Sequence, residues 1–251
     1  MEINTQTKVS DVIKFNYKTT ELFEKLGIDF CCGGKKSLSE ACANKNINLD
    51  SLLNDLKNYS FNNDVFNDWE LDFLADYIVN AHHTYLRKVL PRIKGHLKTL
   101  SEKHSVKYPE LIEINSEYEK LQNELEEHML KEENILFPYI KTLVNAGRDN
   151  STLNTPPFGS IDNPISVMER EHAEAGNFLE TIRNLTNDFL IEDSFCNTHR
   201  ITYNELEELN NDLHKHIHLE NNILFPKAKE LEEKIFNSAC SSEGSACMCN
   251  L

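Results

Sequence analysis

The sequence predicts an all-α protein built around a four-helix bundle, and three observations carry that prediction. Its 251 residues include only 8 Gly and 7 Pro, a Gly share roughly half the usual ~7%, which suits long helices better than a turn-rich β fold. Four long segments, roughly 67–104, 107–145, 163–190 and 197–236, place apolar residues every three or four positions, the spacing that turns one stripe of a helix toward a core. The second and fourth of these segments repeat a motif that ends in Ile-Leu-Phe-Pro.

Before the bundle, residues 1–57 form a small helical unit. Thr20 can cap TELFEKLG, Gly27 can end it, and Ser37 can cap LSEACAN. A unit of that size makes a marginal core by itself. Around residues 58–66 a linker follows, whose Phe61 and Phe66 can dock on a neighbour. In the first long segment Val79, His83, Leu86, Leu90, Ile93 and Leu97 share a stripe, so a His faces the core. Pro91 predicts a kink there, and Pro138 and Pro226 predict bends or breaks in the second and fourth segments. The stretch NAGRDNSTLNTPPFGSIDN is a loop between the second and third. Residues 237–251, small, polar and aperiodic, predict a mobile tail carrying Cys240, Cys247 and Cys249.

Charge narrows the function. Lys plus Arg number 26 against 41 Asp plus Glu, a net −15, which repels phosphate backbones and anionic headgroups, so neither nucleic acid nor a membrane is an expected partner. No apolar run approaches the ~18 residues of a membrane span, and the first residues lack the apolar stretch of a secretory signal. A cytoplasmic chain with reduced thiols is expected, because seven Cys, with Cys31 beside Cys32, do not form an even disulfide framework. Acidic runs such as NELEEH are solvated helix faces.

The repeat carries the chemistry. His128-Met-Leu-Lys-Glu132-Glu-Asn-Ile-Leu-Phe-Pro138 returns as His216-Ile-His-Leu-Glu220-Asn-Asn-Ile-Leu-Phe-Pro226, at a constant offset of 88. Positions i and i+4 lie about 40° apart around a helix, so each His and its Glu project from one face. His83 precedes His128 by 45 residues and His172 precedes His216 by 44, so the same helix pair is used twice. Folded about a pseudo-two-fold axis, the halves would direct four imidazoles and two carboxylates into the bundle centre. Such a cluster is costly there unless something satisfies it. A metal pair does so, with two His nitrogens and shared Glu oxygens for each ion. Mixed N/O donors suit iron or manganese better than structural zinc, and two Fe ions with a bridging oxo or hydroxo ligand are the expected cofactor. Each His singly could be a hydrogen-bonded core residue, and Glu–His pairs one turn apart are common on helix surfaces. A duplicated set with matched upstream His is not what packing alone requires. Glu133, His214 and His218 do not keep their residue type across the repeat and are expected around the cluster or at the surface.

On HMLKEENILFP, SVMEREHAEAG, HIHLENNILFP, the segment from His82 to Pro91 and LGIDFCCGGKKSLSEAC, the chain resembles the hemerythrin-like proteins. More narrowly it resembles the RIC family, di-iron proteins for the repair of iron centres, over about residues 15–235. The resemblance implies His83, His128, Glu132, His172, His216 and Glu220 as metal ligands, the six that the repeat had reached. It implies repair of iron–sulfur clusters damaged by nitrosative or oxidative stress, by donated iron. The partners would be damaged iron–sulfur proteins and an electron donor that the residues do not identify, and a homodimer is a family-level expectation. An open metal position would also permit binding or sensing of nitric oxide or dioxygen, or reduction of nitric oxide, as the alternative function. The Cys-bearing C-terminal extension departs from the family pattern.

Cys31 and Cys32 precede Gly33-Gly34, Lys35, Lys36 and a helix start at Ser37. Cationic neighbours and a helix N-terminus favour thiolates, so redox or iron-transfer duty is expected of the pair. Cys42 and Cys196 are expected to be small buried residues.

Overall fold

The computed structural model describes residues 3–15, 19–30, 34–58 and 65–242. Among the described residues there is no strand, and an isolated antiparallel bridge joins Lys8 to Ser37. Four short helices come first: α1 (Val9–Phe15), α2 (Thr20–Lys25), α3 (Leu38–Lys45) and α4 (Leu49–Asn58). Gly27, just past α2, has φ +64°, a left-handed conformation that strains any residue with a Cβ. Ser37 Oγ accepts from the Glu40 amide at 3.2 Å while the Glu40 carboxylate accepts from the Ser37 amide at 2.8 Å. This reciprocal pair fixes the start of α3.

Four rods follow: α5 (71–104), α6 (110–149), α7 (Asp162–Leu185) and α8 (197–242). α5 packs on α6 and α8, and α6 packs on α7 and on the last part of α8. Their apolar stripes make two cores. One, called distal below, holds Leu90, Ile93, Leu97, Tyr118, Leu179 and Leu206. The other holds Leu74, Ile78, Phe137, Ile165, Met168 and Phe225, and the linker's Phe66 docks there beside Trp69. The small unit has a core of its own around Phe23, Leu38 and Leu52, but Ile217 of α8 is part of it. A marginal core is thus completed by the bundle.

Several expectations are corrected. Helix 84–104 is continuous through Pro91, which does not bear on the expected kink, and of the bends or breaks expected at Pro138 and Pro226 the breaks do not occur. Each Pro instead follows a single π-helical turn, Glu132–Leu136 or Leu219–Leu224. A Pro offers no amide hydrogen to the carbonyl one turn back, and a wider turn upstream accommodates that loss without breaking the rod. α7 ends at Leu185, where Asn187, Asp188 and Phe189 turn left-handed. α8 runs to Ser242, so residues 237–242 of the expected tail are helical. Cys42 is buried, but Cys196 is exposed: it stands at the N-cap of α8, off the apolar stripe, with Sγ 3.7 Å from His104 Nε2. Cys31, Cys32, Phe61, Cys247, Cys249 and the side chain of Cys240 lie outside the described residues.

Candidate metal centre

Three of the four rods carry a π turn, and each turn holds a residue of the cluster: His83 in Val79–His83, Glu132 in Glu132–Leu136 and Glu220 in Leu219–Leu224. A π turn inserts one residue and leaves poorer backbone bonding, which is why such turns concentrate at functional sites. Side chains from the sequence repair the backbone around two of them. Asn80 donates to the Asp76 carbonyl at 2.8 Å, Thr84 to that of Val79 at 3.1 Å, and Asn134 to that of Leu130 at 2.7 Å.

The structure brings all six expected residues together, buried, in two overlapping groups: His83, His216, Glu132 and Glu220, and His128, His172, Glu132 and Glu220. In the first, His83 Nε2 lies 3.3 Å from His216 Nε2 and 3.3 Å from Glu132 Oε2, and His216 Nε2 lies 3.0 Å from Glu220 Oε1. In the second, His172 Nε2 lies 3.0 Å from His128 Nε2 and 3.1 Å from Glu220 Oε2, and His128 Nε2 lies 3.4 Å from Glu132 Oε1. Each carboxylate therefore divides its two oxygens between the two His pairs. His83, and not its neighbour His82, enters the cluster.

A metal fits this arrangement. Both oxygens of Glu132 and Oε2 of Glu220 are buried without a hydrogen-bond partner, although imidazole nitrogens stand within 3.1–3.4 Å of them. Donors about 2.1 Å from a shared ion and at right angles to each other would be about 3.0 Å apart. The lone pairs thus face common points rather than one another's hydrogens. Without metal the buried groups shift one another's protonation in different directions. Burial pulls His128 down, but Glu132, Glu171 and Glu220 outweigh it and lift the imidazole to about 10. Burial raises Glu220, yet His216 and His172 hold it well below the usual carboxylate range. Burial also lowers His216, more than its carboxylate neighbours can offset.

Behind the cluster stand residues that hold its imidazoles. Glu133 accepts from His83 Nδ1 at 2.7 Å and is clamped by Arg87. Glu171 accepts from His128 Nδ1 at 3.0 Å and is held by Lys131 at 2.6 Å. Burial raises Glu171, but His128 and Lys131 bring it down to about 2. Asn221 Oδ1 accepts from His172 Nδ1 at 2.9 Å. Such partners fix ring orientation and tautomer. Glu133 thus belongs to the cluster's surround, as expected. His218 is buried, its Nδ1 3.0 Å from Asn222 Nδ2, and His214 meets the Phe30 ring at 5.5 Å. Glu171, Asp212, whose Oδ1 lies 2.9 Å from His82 Nδ1, and the partnering role of Asn221 were missed from sequence. The signal for Glu171 was its position immediately before His172, which matches His82 before His83.

Comparison with known proteins agrees with this geometry. Residues 74–228 match the family model described as the hemerythrin HHE cation binding domain, and residues 5–60 match a domain of unknown function, DUF542. The chain is 37% identical over 214 residues to the iron-sulfur cluster repair protein YtfE of Pectobacterium atrosepticum, covering 84% of this chain and 91% of that one. It is 36% identical, with the same coverage, to the proteins of that name from Dickeya chrysanthemi and Escherichia coli.

Proposed function

The chain belongs to the hemerythrin HHE family and, within it, to the iron-sulfur cluster repair proteins, and from that premise we propose that it restores damaged iron–sulfur clusters by giving up iron from a di-iron centre. One ion would sit between His83 and His216, the other between His128 and His172, with Glu132 and Glu220 shared. The observation that carries this reading is the division of each carboxylate's oxygens between the two His pairs. Iron held there would supply redox-active, exchangeable metal.

The residues make that exchange workable. Nitrogen and oxygen donors hold ferrous iron less firmly than thiolates would, and Glu132 and Glu220 can shift between shared and terminal modes. The six cluster residues are buried, with apolar cores on both sides of them along the rods. Cys31 and Cys32 are the proposed redox or transfer thiols. The chain on both sides of them is anchored to the bundle, supporting that role: Asn222, in the π turn of Glu220, donates to the Phe30 carbonyl, and Lys35 pairs with Glu169 at 3.1 Å. The partners are damaged iron–sulfur proteins in the cytoplasm.

The test is rescue. Full-length protein loaded with iron should carry about two irons per chain and restore activity to a nitric-oxide-damaged cluster enzyme, whereas H128A and E220A should not. Equal rescue by those variants would overturn the reading.

A further inference from the structure

The internal repeat allows one half of the centre to be checked against the other. Glu133 and Asn221 occupy the same place in the two halves, and each stands behind the His of the preceding rod, His83 or His172. Glu171, just before His172 on α7, stands behind His128. Its counterpart on α5 is His82, just before His83, and the repeat calls for it to stand behind His216. It does not hydrogen-bond there. The rings of His82 and His216 lie parallel, with centroids 5.3 Å apart and planes 7° from one another. His82 Nδ1 turns instead to Asp212 Oδ1 at 2.9 Å. His216 Nδ1 and His82 Nε2 are both buried without a hydrogen-bond partner. Three of the four imidazoles are therefore backed by an oxygen acceptor and the fourth is backed only by a ring face.

We propose that the two metal positions are unequal by construction: the ion between His83 and His216 is the exchangeable one, and His82, held by Asp212, is the positioning residue that makes it so. The inference rests on the binuclear reading above and says which half of it supplies the cargo. Binding metal through Nε2 fixes the proton of each imidazole on Nδ1. For His83, His128 and His172 an oxygen is there to accept it, which makes the ring a better donor to the metal. For His216 the N–H points at no acceptor, so the ring is oriented by stacking but not strengthened, and a buried N–H stays unpaired whenever metal is held. The positions otherwise match in kind: each has one carboxylate-backed imidazole, Glu133 steadied by Arg87 and Glu171 steadied by Lys131. What remains is Asn221 behind His172 against nothing behind His216. Losing one such partner typically lowers metal affinity 10- to 100-fold.

The experiment loads the full-length chain with ferrous iron under anaerobic conditions, counts the metal, and follows its removal by an excess of a ferrous chelator. The wild-type chain should release its two irons in two phases of equal amplitude, with rates about 10- to 100-fold apart. In H82Q the new carbonyl can accept from His216 Nδ1 while the amide donates to Asp212, so the fast phase alone should slow by about 10-fold or more. N221L takes the acceptor from His172, and the slow phase alone should quicken, an independent check should H82Q fold poorly. Two irons leaving the wild type in a single phase would overturn the inequality and leave the binuclear reading standing, as would H82Q leaving both rates unchanged. A chain that holds fewer than two irons would overturn that reading, and this inference with it.

Discussion

Two levels of the bundle are made from the same four rods by opposite rules. At the distal core the turns are regular α and the interior is mostly Leu, Ile and Tyr. Its buried His199 stays neutral, stacked on Phe195 at 3.6 Å, because burial, helped by His104 and Lys107, lowers it to about 4. Midway, between that core and the one around Leu74 and Phe137, three rods change to π turns, and four imidazoles and two carboxylates share one buried space. Unpaired carboxylate oxygens there oppose folding, while the apolar packing favours it. The packed level holds the fold together and the other uses that rigidity to keep a cluster that would not assemble by itself.

Taking the metal away tests this contrast most strongly. A ligand present at 100 times its Kd stabilises the folded state by about 2.7 kcal/mol per site, so the metal-free chain should melt well below the iron-loaded one. Thermal unfolding with and without a chelator checks it. Equal midpoints would mean that the cluster level needs no metal to be stable, and the contrast would fail. Next in size, L97A removes a wholly buried side chain from the distal core and should cost about 2–5 kcal/mol by denaturant unfolding. It should still bind about two irons per chain, because Leu97 lies several turns from His83 on α5. Loss of iron in step with stability would show that the two levels are not separable.

His199 gives the next, smaller effect, through pH. Its folded value of about 4 lies below the ordinary 6.5, so between those values the unfolded chain binds more protons than the folded one. The stability due to keeping it neutral is complete above pH 6.5 and is lost as the pH falls toward 4. The metal-free H199F variant should therefore lose stability less steeply across that window than the metal-free wild type, by at most about 1.4 kcal/mol per pH unit. Parallel curves would mean that the distal end meets acid no differently from a surface His.

What the sequence disclosed divides along the same line. The rods and the six clustered side chains were legible because helical periodicity and the 88-residue offset are properties of spacing, and spacing survives folding. The π turns were not, because Pro138 and Pro226 signal only a missing amide hydrogen, and a break and a widened turn answer that loss equally well. Asp212 was not legible either. It supports His82 through space from another rod, and its counterpart in the repeat, Glu124, lies in the acidic run NELEEH that reads as a solvated helix face. Cys196 was misplaced because cysteine's usual burial says nothing of a residue standing at a helix N-cap.

The smallest effect probes whether the N-terminal unit belongs with either level. Its core includes Ile217, the residue beside His216, so the unit is docked to the cluster side of α8, while the ion pair Lys35–Glu169 is exposed and adds little. If docking makes the unit part of the same cooperative structure, S37A, which removes the hydroxyl that caps α3, should lower the single unfolding transition by about 1 kcal/mol. Iron content should be unchanged, because the cap touches no residue of the cluster. A separate early transition, moved by S37A while the main one stays fixed, would instead place the unit outside the bundle's cooperativity. The chain bracketing Cys31 and Cys32 could then open without disturbing the metal level, and Ile217 would be a contact made after folding rather than a shared part of the core.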